Sequence, residues 1–273
     1  MFRVIKPLNN NGLLALTEEG REVILLGKGI GFGKKSGERI ESLTCLPQAK
    51  VYHLVTDDEN SALQRVNGLD PHAVELAARV LDEAHKSFPA MTDDILLPMA
   101  DHIAMALERC RRGIRLPNPL QHDIMVMFPD EYRIAEQGLH AIEREEGLSL
   151  PPEEAGYLSL HIHAGISEQN AGDSLTNIRL AADCIAKIET ELGISLRRTE
   201  LKYTRLISHV CYMILRIRAQ EEVPLQMDEY VRKMYPRAYQ LAEKLCKALE
   251  EKLCLPISSA EVTLLAIHIQ RVL

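Results

Sequence analysis

"FPDEYRIAE", residues 128–136, comes back as "YPRAYQLAE" at residues 235–243, an offset of 107. The same offset carries His102 in "DHIAMALER" onto His209 in "SHVCYMILR", and with it Arg109 onto Arg216 and Arg111 onto Arg218. It also carries His161 in "YLSLHIH" onto His268 in "LLAIHIQ". Three separated segments on one ungapped offset are a duplication. A period this long means two tandem domains, because solenoid repeats run about 20–50 residues. Both copies read as helical. "DPHAVELAARVLDEAHKSF" starts on Asp-Pro and then repeats apolar residues every three or four positions. "MTDDILLPMADHIAMALERC", "DEYRIAEQGLHAIEREEG", "PPEEAGYLSLHIHAGIS" and "LTNIRLAADCIAKIETELG" continue in the same style. The expectation is two all-α helical-bundle domains, at 68–170 and 175–273.

The duplication filters the ten histidines. His122 maps onto Glu229, His140 onto Lys247 and His163 onto Gln270, so these drop out. His102/His209 and His161/His268 remain. Within each copy the two are 59 residues apart, which lets them meet from different helices. A metal site would want a third ligand. Asp101 has Ser208 as its mate, and Glu154 and Glu261 match but lie seven residues before their histidines. No GxSxG turn marks a hydrolase. Reversible phosphorylation of the ring needs only a neutral, accessible nitrogen and a donor protein.

The first 57 residues read differently. "FRVIKPL", "LLALT", "EVILLG" and "KVYHLVT" alternate with turn-formers such as "NNNG", giving a small antiparallel sheet. Such a sheet is too small to bury a good core alone, so it is expected to dimerise. "DENSALQRVNGLD", residues 58–70, reads as a polar link to the helices. Within the sheet sits "LLGKGIGFGKKSG", residues 25–37, with five glycines, three lysines and one phenylalanine. It is not a P-loop, because position 28 is Lys and position 35 is Lys. A dinucleotide fingerprint on Gly29 and Gly31 would need Gly at 34, which is Lys. Residues 1–36 carry six basic and three acidic side chains, whereas the whole chain is at −7. A basic head on an acidic body points to a polyanion partner for the head.

Hydrophobic residues make up 46% of the chain, enough for real cores, yet no 18-residue apolar run marks a membrane span. "MFRVIKPLNNNG" lacks the apolar stretch of a signal peptide. The six cysteines form no CxxC pair, which fits reduced core thiols in the cytoplasm.

"KPLNNNGLLAL" and "EVILLGKGIGFGKKSG", together with "DHIAMAL", "PDEYRIAE", "GYLSLHIH" and "YTRLISH", resemble the BglG/SacY-type transcriptional antiterminators. The resemblance covers the whole chain. It implies an α+β multidomain protein: a dimerising co-antiterminator RNA-binding sheet over residues 1–57, then two phosphotransferase-system regulation domains. It implies that the paired sheets bind a leader-mRNA hairpin that excludes a terminator, with contacts at Lys6, Asn9, Asn10, Asn11, Gly27, Lys28, Gly29 and Phe32. Asparagines can read base edges, glycines allow close approach, and a phenylalanine can stack on an unpaired base. Lys28 stands where some relatives have Arg, replacing a bidentate group by a point charge. The resemblance also implies phosphorylation of His102, His161, His209 and His268. The sugar-specific permease usually acts negatively through the first domain, and the general phosphocarrier positively through the second. No enzyme activity, cofactor or metal is implied. The alternatives are a DNA-binding regulator with the same regulation domains, a helical metal-dependent histidine enzyme, and a purely structural dimer.

Overall fold

A computed structural model describes residues 1–41, 43, 48–54, 62–167 and 170–273. Cys45, residues 55 and 56 of "KVYHLVT", and residues 58–61 of the link lie outside the described residues.

The N-terminal sheet is antiparallel, with strands β1 (Phe2–Asn9), β2 (Gly12–Leu16), β3 (Glu22–Leu26), β4 (Arg39–Ile40) and β5 (Lys50–His53). Their order is β4-β1-β2-β3-β5. Four strands are expected from the sequence. The fifth, β4, has two residues, too few to show alternation, and pairs Ile40 with Phe2 and Arg39 with Arg3. Pro7 lies on β1 beyond the stretch that β4 covers, so its missing N–H breaks no ladder on that side.

β2 reads "GLLAL" and is buried on both faces. One face gathers Val4, Leu13, Ala15, Val23, Leu25, Ile30 and Ile40. The other carries the cross-strand row Leu14, Ile24 and Tyr52, also buried. Full burial of side chains this size is worth about 1.5–3 kcal/mol each. The second face closes within the chain, because Tyr52 donates to Asp82 of the helix α2 (Pro71–Ser87) at 3.0 Å. The small sheet therefore finds a partner in its own helical region.

The polar link contains a short helix, α1 (Ala62–Asn67). α2 opens on Asp70, whose carboxylate accepts from the His72 N–H, with Pro71 in the first turn. A 3-10 turn at Asp93–Ile95, capped by Thr92, leads into α3 (Leu96–Arg111). Then follow α4 (Gln121–Met127), α5 (Pro129–Glu146), α6 (Glu153–Ile166) and α7 (Ala171–Leu192). The second copy has α8 (Leu201–Ala219), α9 (Asp228–Met234), α10 (Pro236–Leu253) and α11 (Ser259–Gln270). The repeated "FP" and "YP" are breaks between helices. Phe128 and Tyr235 sit at the same non-helical dihedrals, φ −130 for both, because a residue before proline avoids the helical region.

The chain forms two compact units, Met1–Asn118 with Asp130–Ala171, and Pro119–Pro129 with Gly172–Leu273. The sequence repeat and the compact unit part company at α4. α4 packs on α8, whereas its repeat mate α9 packs on α10 and α11. The anchor is Asp123, fully buried, which accepts from Tyr203 Oη at 2.8 Å and Arg198 Nη1 at 3.2 Å. Burial raises its carboxyl above the usual range, with Tyr203 and Arg198 opposing. The mate of Asp123 is Tyr230, which is exposed.

Cys184, Cys211 and Cys246 are buried thiols, as expected, and burial raises their pKa values, to about 11 for Cys184 and about 12 for Cys246. Cys254 departs from the expectation. It is exposed, at a left-handed position that ends α10.

Candidate nucleic-acid interface and paired histidines

The glycine loop is tied to the hairpin between β1 and β2. Asn9 Oδ1 accepts from the Asn11 N–H at 2.7 Å, and Asn11 Oδ1 accepts from the Gly29 N–H at 3.1 Å. The N–H groups of Gly27 and Gly31 donate to the carbonyls of Asn11 and Asn10. Gly31 has no alternative: a Cβ there would lie 2.0 Å from the Asn9 carbonyl oxygen. Gly29 is at φ +77, the left-handed region that glycine enters freely. Asn9 thus spends its oxygen on the hairpin and Asn11 on the loop, and both keep their amide hydrogens for other partners.

Phe32 projects from this loop with 74% of its surface exposed, rather than packing in the sheet. Asn10, Lys28, Gly29 and Lys35 are exposed around it. Lys34 is partly held by Glu38 at 3.1 Å. Lys6, Asn9 and Asn11 are placed differently. Lys6 Nζ donates to Asn67 Oδ1 at 2.8 Å, and the amides of Asn9 and Asn11 donate to Glu75 at 2.6 and 3.4 Å.

The structure brings each histidine pair together. In the first copy α3 presents His102 and α6 presents His161, with ring centroids 5.4 Å apart. In the second, α8 presents His209 and α11 presents His268, stacked at 3.7 Å. Burial, then the nearby His102, lowers His161 to about 4. Burial, then His268, lowers His209 to about 3. His268 is lowered too, by burial and then Arg271. Neutral imidazoles keep an unprotonated nitrogen, the atom that attacks a phosphoryl group.

A glutamate and an arginine in each copy complete the sites; the sequence reading set the glutamate aside and noted the arginine only as part of the repeat. Glu154 and Glu261 lie two turns from His161 and His268 on their own helices, yet they reach across to α3 and α8. Glu154 accepts from His102 Nε2 at 2.9 Å and from Arg109 Nη2 at 2.9 Å. Burial raises its carboxyl, but the bonds from His102 and Arg109 outweigh this and hold it below the usual range. An ionised carboxylate only accepts, so His102 Nε2 is the donor in this bond. The second copy is wired otherwise. Arg216 grips Glu261 with two bonds, Nε at 2.7 Å and Nη2 at 2.9 Å, and the buried His209 Nε2 has no partner among the described residues. The signal was present in the sequence, because Glu154 and Arg109 recur at the same offset as the histidines. Among the described residues, no group of three or more His, Cys, Asp or Glu is placed to hold a metal.

The description of the CAT RNA binding domain matches residues 2–61, and that of the PRD domain matches residues 57–165 and again 182–272. The chain is 30% identical to the "PtsGHI operon antiterminator" of Bacillus subtilis (strain 168), over 99% of this chain and 96% of that one. It is 28% identical to "Protein GlcT" of Staphylococcus haemolyticus (98% and 95%), and 24% identical to "Transcription antiterminator LicT" of Bacillus subtilis (99% and 99%). The solved "Crystal structure of GlcT CAT-PRDI" superposes with a TM-score of 0.53 at 33% identity, covering 61% of this chain and 98% of that one. With a sheet carrying an exposed aromatic on a glycine loop, and a half-buried histidine pair in each of two helical repeats, the chain belongs to the transcriptional antiterminators that join a CAT RNA binding domain to PRD domains.

Proposed function

We propose that this chain stabilises a hairpin in the leader mRNA of a sugar-utilisation operon and so prevents termination, as a cytoplasmic homodimer. The RNA contacts are Lys6, Asn9, Asn10, Asn11, Gly27, Lys28, Gly29 and Phe32. The observation that carries this reading is Phe32, an aromatic ring 74% exposed on a loop fixed by backbone hydrogen bonds and flanked by lysines. An exposed ring on a rigid loop costs solubility, and stacking on an unpaired base accounts for it. His102, His161, His209 and His268 accept phosphoryl groups from the general phosphocarrier and a sugar-specific permease of the phosphotransferase system. The half-buried rings of His161, His209 and His268, held neutral, support that role. No described helix is long and apolar enough to cross a membrane.

The test is binding of the full chain to the leader transcript of the sugar-transport operon beside its gene. Phe32→Ala is expected to cost about 1–3 kcal/mol of binding at unchanged circular dichroism. Unchanged affinity removes Phe32 from the interface, and no binding at low salt by any form of the chain removes the RNA reading.

A further inference from the structure

Three side chains of the RNA face are already engaged by the helical region. Asn9 and Asn11 donate to the two oxygens of Glu75 on α2, and Lys6 donates to Asn67 at the end of α1. Beside them Lys50 Nζ lies 2.7 Å from Asp82 Oδ2, and Tyr52 donates to Asp82 Oδ1. A cavity of about 490 Å³ separates the two surfaces, lined by Asn11, Gly27 and Lys28 on the loop and by Glu75 and Asp82 on the helix. Glu75 and Asp82 are two helical turns apart, hence on one face. Arg79 also lines that cavity, but its guanidinium pairs with Glu145. The face of α2 turned to the sheet is therefore acidic.

We propose that this acidic face of α2 is a binding surface for the sheet's own RNA-reading face, and that it competes with RNA. The inference rests on the RNA reading above. A carboxylate accepts the same amide hydrogens that a base carbonyl or a phosphate oxygen would accept. Glu75 thus takes the donors of Asn9 and Asn11 that base edges need. An RNA strand brought to the loop also meets two carboxylates at short range, and like charges there repel. RNA and α2 exclude each other at this surface. The sheet leaves α2 before RNA binds, and the apparent affinity is the intrinsic one scaled by the fraction of open chains. Phe32 and Lys28, exposed in the closed arrangement, are free for first contact.

Two measurements on the full chain test this, with a pool of RNA hairpins bearing internal single-stranded bulges as the probe. A zero-length carbodiimide cross-link between Lys50 and Asp82, read by mass spectrometry, is expected in the free protein. It should fall at least about threefold when the retained hairpin saturates the chain, in proportion to the closed fraction. Glu75→Ala should bind that hairpin about fivefold tighter or better, by raising the open fraction. Glu83→Ala removes the same charge from α2, but there Glu83 pairs with Lys86, and it should shift affinity less than about twofold. A cross-link undiminished in the complex overturns the proposal, and so do equal affinities of the two variants. Retention of no hairpin by any form, Glu75→Ala included, overturns the RNA reading and this inference with it.

Discussion

Two imidazoles, His161 and His209, are held neutral by burial, at about 4 and about 3. An unfolded chain returns them to about 6.5. Between these values the unfolded state binds protons that the native state refuses, so stability falls as pH drops from about 6.5, levelling off near 4 for His161 and near 3 for His209. The sign is opposite to that of a salt-bridged histidine. For His161 the loss between pH 7 and pH 5 is about 2 kcal/mol. The lowered Glu154 adds its own loss only further down, below the ordinary carboxylate range. Urea unfolding of the unaltered chain should show this decline, and His161→Asn should flatten it by that amount. An equal pH slope in both proteins would mean that the imidazole titrates freely in the folded state. The duplicated offset pointed to this residue from the sequence. Its neutrality was not legible there, because it depends on what α3 and α6 bury together.

Helices were legible wherever apolar residues recurred every three or four positions over more than two turns, as in α2 and α5. β4, two residues long, has no period to read. α4 was legible as a helix but not in its attachment. Asp123 looks like an ordinary acidic residue near a helix start, and nothing local shows that Tyr203 and Arg198, about 80 positions on, bury it. The helix ends carry a further difference between the copies. Gly113 after α3 and Gly147 after α5 turn left-handed at φ +69 and +61, as glycine does without strain. Their mates at the same offset are Gln220 and Cys254, left-handed at φ 52 and 54 with side chains attached. A non-glycine there costs about 1 kcal/mol, partly offset by the greater freedom glycine has when unfolded. Cys254→Gly, which also removes an exposed thiol, should stabilise the second unit by about 0.5–1 kcal/mol in denaturant unfolding. A loss of stability would show that the Cys254 side chain makes a compensating contact.

At the scale of the whole molecule, one duplicated set of four residues is wired in two ways. In the first unit the carboxylate of Glu154 is shared between His102 and Arg109. In the second, Arg216 takes both oxygens of Glu261 and leaves His209 out. A negative group placed on the first histidine therefore meets different surroundings. At His102 it loses a bond to a buried carboxylate and faces that carboxylate directly, with one arginine bond to offset the repulsion. At His209 it joins a ring whose Nε2 has no hydrogen-bond partner among the described residues, beside a carboxylate already neutralised by a fork of two bonds. The first unit should loosen more than the second under the same modification. His102→Asp, a single-charge stand-in for a phosphoryl group, should lower hydrogen-exchange protection of α3 and α6 by about 1.5–3 kcal/mol, the worth of a hydrogen bond to a charged group. His209→Asp should change α8 and α11 by less than about half of that. Phosphorylation by the general phosphocarrier should follow the same order where each histidine is labelled. Equal loss of protection in the two units would mean that the wiring of the glutamates does not set the response, and that the opposite signs of control expected for the two domains arise elsewhere.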